Sequence, residues 1–317
     1  MAHRDAVGIA VRPVERLGRR DDRLPKAEGK QRASVVVEEP LEIRIDGTPI
    51  ATTLRTPGDD GLLALGFLFG EGVIRSVDDV CSLTPCGRPG PGHDSSGTVI
   101  DVRSGPGVVL DVERALGGRL IAAARSASGV CGRLSVEALL ARLGTVSGGA
   151  ALSLDQLTAC VDRLRVAQRG SSRSGANAAA AFTASGSLLS AHEDVGRHNA
   201  VDKVIGELLR RRLVGAGSIA AQTDEEPAVL AVSGRVSFEI VQKAAAAGIP
   251  VIASASAASS LAIDLASAVR ITLAASVRGG ALGVYACPER LDAGFGAPIA
   301  LIAPTAPIAP IAPITAE

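Results

Sequence analysis

Between residues 192 and 203 the chain reads His-Glu-Asp-Val-Gly-Arg-His-Asn-Ala-Val-Asp-Lys, with two of its four histidines, three acids, an arginine and a lysine. Seven of these twelve positions can carry charge, in a chain that is 21% charged overall. His192, Arg197 and His198 could orient phosphates or stabilise a thiolate, with Asp194 lining or bracing the same place. The plain alternative is a solvated helix start with its acids near the positive end of the dipole.

A second chemical candidate is Cys131, in Ser128-Gly129-Val130-Cys131-Gly132-Arg133. It stands before an expected helix starting near Ser135, with Arg125 and Arg133 close in sequence. A thiol beside a helix N-terminus and cations can have a lowered pKa, and flanking glycines keep it accessible. None of the other four cysteines (Cys81, Cys86, Cys160, Cys287) has this setting. Cys81 and Cys86 lack the two further ligands a zinc site needs. Cys160 lies on an apolar helix face and reads as core.

The third candidate comes from the elements that must carry these residues. From Ala228 onward, apolar runs and helical patterns alternate: strands at 228–232, 250–253, 271–274 and 283–286, helices at 238–247 and 259–268. That order predicts a parallel core buried on both faces, with ligands beyond the carboxyl ends of its strands. The loops expected there are Ser233-Gly234-Arg235, Ser254-Ala255-Ser256 and Ser276-Val277-Arg278-Gly279-Gly280. Small residues let backbone N–H groups approach an anion, and Arg235 and Arg278 can each hold a phosphate. Together the three loops point to a phosphorylated ligand, although Gly and Ser are also ordinary connectors.

The remaining organisation is coarser. Residues 1–33 read as a flexible arm and 34–125 as a β-rich N-terminal part. Residues 126–291 read as the α/β domain with the active loop and cofactor site. Residues 292–317, with repeated Ala-Pro-Ile units, read as a disordered or extended tail. Asp59-Asp60 start a helix over 62–69, and Ser153 to Gln156 match a capping box.

Composition limits the function. Lys+Arg and Asp+Glu both number 33 and aromatics make up 2%, which leaves neither a basic field for duplexes nor stacking platforms for single strands. No secretory signal or membrane span is visible, and the odd cysteine count suits free thiols, so the expected location is the cytoplasm.

Several strings carry a resemblance. They are Glu38-Glu39-Pro40-Leu41, Gly66-Phe67-Leu68-Phe69-Gly70-Glu71-Gly72, Ser128 to Gly132, the string from His192 to Lys203, Ser233-Gly234-Arg235 and the Arg278 loop. In this order, from about Val35 to Leu291, the chain resembles the FdhD family of formate dehydrogenase accessory sulfurtransferases. The resemblance implies a three-layer α/β fold similar to cytidine deaminases, without zinc. It implies a homodimer that takes persulfide sulfur from a cysteine desulfurase and passes it to a bis(molybdopterin guanine dinucleotide) cofactor of molybdenum or tungsten. The cofactor, carried as cargo, is then delivered to the catalytic subunit of formate dehydrogenase. It places cofactor contacts at Ser276, Val277, Arg278, Gly279, Gly280 and Ala281.

Two positions depart from the family pattern. The family loop reads Cys-Gly-Val-Cys-Gly, and its first cysteine position is Ser128 here, which leaves Cys131 as the sulfur-bearing residue. Asn177 stands where the family has histidine. The alternative is therefore a chaperone that binds the cofactor without transferring sulfur; a zinc-dependent nucleoside enzyme would need ligands that the sequence does not supply.

Overall fold

A computed structural model describes residues 8–15, 30–87, 97–110, 112, 143–149, 151–168, 175–278 and 281–292. The helix expected near Ser135, the loop holding Ser128 and Cys131, and the Ala-Pro-Ile repeats lie outside the described residues.

The architecture is mixed α/β. In chain order the strands are β1 Ile9–Glu15, β2 Lys30–Val36, β3 Glu39–Ile45, β4 Thr48–Arg55, β5 Val80–Cys86, β6 Val99–Ser104, β7 Asn177–Phe182, β8 Leu188–Asp194, β9 Val229–Val232, β10 Val251–Ser254, β11 Thr272–Arg278 and β12 Ala281–Ala286. The helices are α1 Asp60–Gly70, α2 Leu154–Ala167, α3 Arg197–Arg210, α4 Ala220–Thr223, α5 Phe238–Ala246 and α6 Ser260–Ala268. Three sheets result: β1-β2, β4-β3-β6-β5, and a six-stranded sheet ordered β12-β11-β10-β9-β7-β8. Within the last, β9, β10 and β11 run parallel, while β7, β8 and β12 pair antiparallel.

The alternation of side chains along a strand makes the six-stranded sheet the middle of three layers. Ala178, Ala180, Phe182, Val229, Ala231, Val251 and Ala253 face the apolar side of α2, built from Leu157, Cys160, Val161 and Leu164. Ala179, Ala181, Leu230, Val232, Ile252 and Leu273 face the opposite side, with Val201, Val204 and Ile205 of α3, Ile240 and Val241 of α5, and Ala262 and Leu265 of α6. The alanine run of β7 leaves room for helices on both faces. Leu41, Ile43, Ile100 and Val102 of the four-stranded sheet join this second core, so the two larger sheets share one apolar interior.

The join is made by α1 against α3. A Cβ on Gly66 would land on the carbonyl oxygen of Asp202, and one on Gly206 on that of Leu62. Only hydrogen at both positions lets the helix backbones come this close.

Two expectations change. The ladder β1–β2 places residues 9–15, expected in a flexible arm, in a strand paired with 30–36. The segment from Ser276 to Arg278, expected as loop, continues β11, and Arg278 pairs with Ala281 of β12. The ladder slips between Ala275 and Arg278, and Ser276 lies there with φ +57°. An irregularity of this kind bends a strand and re-aims its side chains. Among the described residues no helix is long and apolar enough to cross a membrane.

Candidate functional site

The three strand ends meet. Ser254 Oγ donates to the carbonyl of Gly234 at 2.9 Å, and the Ser276 amide donates to the carbonyl of Ser256 at 2.9 Å. The Ala255 amide reaches back to Val232. Residues 233–235, 254–256 and 276 thus form one hydrogen-bonded ledge at the carboxyl ends of β9, β10 and β11. Ser233 Oγ accepts from the Ala178 amide at 2.9 Å, tying the ledge to β7. Arg235 and Ser276 are exposed on it and Val277 is buried. Ala281 is exposed at the start of β12, while Gly279, Gly280 and the Arg278 side chain lie outside the described residues.

The N-terminus of α3 abuts this ledge at Gly234. A Cβ there would stand 2.8 Å from Asn177 Oδ1 and 3.5 Å from Arg197 Cβ. Asn177 donates through Nδ2 to the Val195 carbonyl at 2.8 Å, fixing the turn between β8 and α3. Arg197 Nε is buried and has no hydrogen-bond partner among the described residues. A buried donor without an acceptor is costly.

The other members of the charged string are placed differently from one another. Asp194 is wholly buried and accepts from the amides of Thr56 and Gly196, from Asn199 Nδ2 and from Lys203, whose Nζ is 2.8 Å away. Its oxygens are spent inside the protein, so its part is to lock the turn and not to reach a ligand. The reading of the string as a solvated helix start fails for the same reason, because Asp194, Asp202 and Lys203 are all buried.

His192 on β8 has no partner in the ledge. Its Nδ1 is 3.2 Å from Asp59 and its Nε2 is 2.7 Å from Glu207, which also accepts from Ser190. Burial opposes the charged ring, but the hydrogen bonds to Asp59 and Glu207 outweigh it and hold the His192 pKa above its ordinary value. This histidine clasps the start of α1 to β8 and α3.

His198 lies beside the ledge. Its Nε2 is 2.8 Å from Ser237 Oγ and its Nδ1 is 3.0 Å from Glu239. Burial, then Lys243 and Arg197, push its pKa down to about 3, so the ring is neutral. With Glu239 accepting from Nδ1–H, Nε2 accepts from the Ser237 hydroxyl. Behind it, Lys243 Nζ lies 2.5 Å from Asp202 and 5.8 Å from the Phe67 ring centroid. Burial opposes the Lys243 charge, but Asp202 and Glu71 outweigh it and hold its pKa above the ordinary value. Ser237 and Glu239 escape a reading of the sequence, in which a serine ahead of an apolar run signals only a helix cap. No group of three or more His, Cys, Asp or Glu residues among those described could hold a metal ion.

The profile of one protein family, FdhD/NarQ, matches residues 36–292. The chain belongs to the FdhD/NarQ family. The match begins at the last residue of β2 and ends past β12, so it takes in every element of the ledge and leaves β1 outside. Among its relatives is the sulfur carrier protein FdhD of Anaeromyxobacter sp. (strain K), 52% identical over 83% of this chain and 90% of that protein. The protein of the same name from Mycobacterium tuberculosis (strain ATCC 25618 / H37Rv) is 43% identical over 81% of this chain and 91% of its own length. A solved structure described as a formate dehydrogenase accessory protein, from Desulfotalea psychrophila, shares the fold. Its TM-score is 0.62 at 23% identity, covering 89% of this chain and 98% of that one.

Proposed function

We propose that this protein carries sulfur in the maturation of formate dehydrogenase, with Cys131 as the residue that bears it. The observation that carries this reading is the 52% identity, over most of the chain, to a sulfur carrier protein FdhD. In the transfer, the Cys131 thiolate attacks the terminal sulfur of a cysteine desulfurase persulfide. A new S–S bond forms at Cys131, the donor's S–S bond breaks, and the donor cysteine leaves as thiolate. Ser128, a hydroxyl residue, cannot take this part.

The proposal extends to the cargo. The ledge and the buried Arg197 donor suit the pyrophosphate of a bis(molybdopterin guanine dinucleotide) cofactor, the substrate to which sulfur is passed before delivery to the formate dehydrogenase catalytic subunit. Gly234 fits this use, since any side chain there would meet Asn177 and Arg197 and fill the approach. The protein works in this reading as a cytoplasmic homodimer.

Incubation with a cysteine desulfurase and radiolabelled cysteine tests it. Sulfane label is expected on the wild-type protein and lost in Cys131→Ala. Equal labelling of both would remove Cys131 from the reaction. If Cys131→Ser nevertheless supports formate dehydrogenase maturation and guanosine diphosphate binds, the protein is a cofactor-binding chaperone, the reading that Ser128 favours.

A further inference from the structure

Ser237 precedes α5 as its N-cap, with the extended backbone of a capping serine, yet its side chain makes no cap hydrogen bond. The hydroxyl is turned instead to His198 Nε2, at 2.8 Å. Across the ring, Nδ1 faces Glu239 Oε2 at 3.0 Å. Hydroxyl, imidazole and carboxylate are linked in series, from two different helices. In the first turn of α5 the amides of Phe238 and Glu239 make no hydrogen bond among the described residues. All three residues are partly exposed.

We propose that Ser237, His198 and Glu239 form a catalytic relay in which Ser237 Oγ is a nucleophile toward carboxylic esters. This goes beyond sulfur carriage and makes no use of Cys131, so the two readings stand or fall separately. Oγ attacks the ester carbonyl carbon as its proton passes to Nε2, and the Phe238 amide, next to the nucleophile, faces the developing oxyanion. Glu239 holds the Nδ1–H tautomer and offsets the imidazolium charge as it forms. Collapse breaks the bond to the alcohol, which leaves with the proton from Nε2. Water then attacks the acyl-serine, Nε2 takes its proton, and the proton returns to Oγ as the acid departs. Electrons and atoms balance with water as the one co-reactant. Burial and the neighbouring cations keep the ring neutral throughout the physiological range but weaken it as a base, so the relay depends on Glu239 to offset the charge it takes on.

The test treats the full-length protein with a fluorophosphonate probe, locates the adduct by mass spectrometry and follows p-nitrophenyl acetate hydrolysis. An adduct on Ser237 is expected, absent from heat-denatured protein and from Ser237→Ala. His198→Gln should slow modification by about 100-fold or more, the size usual for a positioned general base. In the wild type the rate should hold level from about pH 8 to about pH 5, where an ordinary imidazole base would be lost. A native protein without adduct on Ser237 overturns the assignment, and so does an unchanged rate in a folded His198→Gln variant. Should that variant not fold, the isosteric Glu239→Gln decides on the same terms.

Discussion

Lys203 Nζ and Asp194 Oδ2 lie 2.8 Å apart with almost no solvent on either side chain. Lys203 also donates to the Thr56 carbonyl at 3.0 Å, and Asp194 accepts from the Thr56 amide at 3.1 Å. Thr56, just past the end of β4, is thereby gripped from both sides by the pair that closes the turn before α3. Removing one partner strands the other charge in the interior. Lys203→Met or Asp194→Asn should lower unfolding free energy by about 3–5 kcal/mol, the usual cost of breaking a buried pair. Urea denaturation measures it; a loss under about 1 kcal/mol would show the pair to be dispensable.

The contact of α1 with α3 gives a second prediction. Gly66→Ala and Gly206→Ala each set a methyl group against a backbone carbonyl that cannot swing away. Each should cost at least the upper part of the overpacking range, about 3 kcal/mol, although alanine is the better helix former by about 1 kcal/mol. Thermal unfolding of both variants checks the sign, which helix propensity alone would reverse.

The two clustered histidines should titrate far apart. His192, with its pKa raised, adds stability that is full below its ordinary 6.5 and is lost as pH rises through the higher folded value. His198, depressed from 6.5 to about 3, adds stability that is present above 6.5 and is lost as pH falls toward about 3. NMR titration should show the His192 ring still charged at a pH where His198 is neutral. His198→Gln should flatten the acid side of the stability profile, and His192→Gln the alkaline side.

Thiol reactivity should divide the cysteines by environment. Cys160 is buried on α2 and burial pushes its pKa up to about 11, whereas Cys81 is exposed on β5. Iodoacetamide on the folded protein should modify Cys81 and spare Cys160 until denaturant is added. Mass spectrometry of the native digest reads the outcome directly.

Much of the six-stranded sheet is legible in the sequence because its strands are short apolar runs closed by Gly, Pro or Ser. The runs at 228–232 and 250–253 become β9 and β10, each starting one residue later, and Ser153 caps α2 as its spacing implies. By contrast β5 is hidden: Ser82, Thr84 and Pro85 interrupt it, and it buries no residue fully. The Ser276 segment is misread because Gly279 and Gly280 signal a loop, whereas interstrand hydrogen bonds carry the ladder on to Arg278. The candidate site divides in the same way. Small residues at strand ends are visible as a pattern, and so is the ledge. Whether a charged residue is a tool or a strut depends on whether its hydrogen bonds are met inside the protein, which separates Arg197 Nε from Asp194 within four positions and which no local pattern encodes. The partnership of Ser237 with His198 spans thirty-nine positions and is invisible along the chain.

The bare-backbone seam between Gly66 and Gly206 also bears on how this protein can be recombined. Because α3 carries Arg197 and His198 on its first turn and meets α1 backbone to backbone at Gly66 and Gly206, a chimaera that exchanges the front half has to keep glycine at both positions. A cut anywhere between these helices would leave each fragment presenting a groove shaped for a neighbour it no longer has.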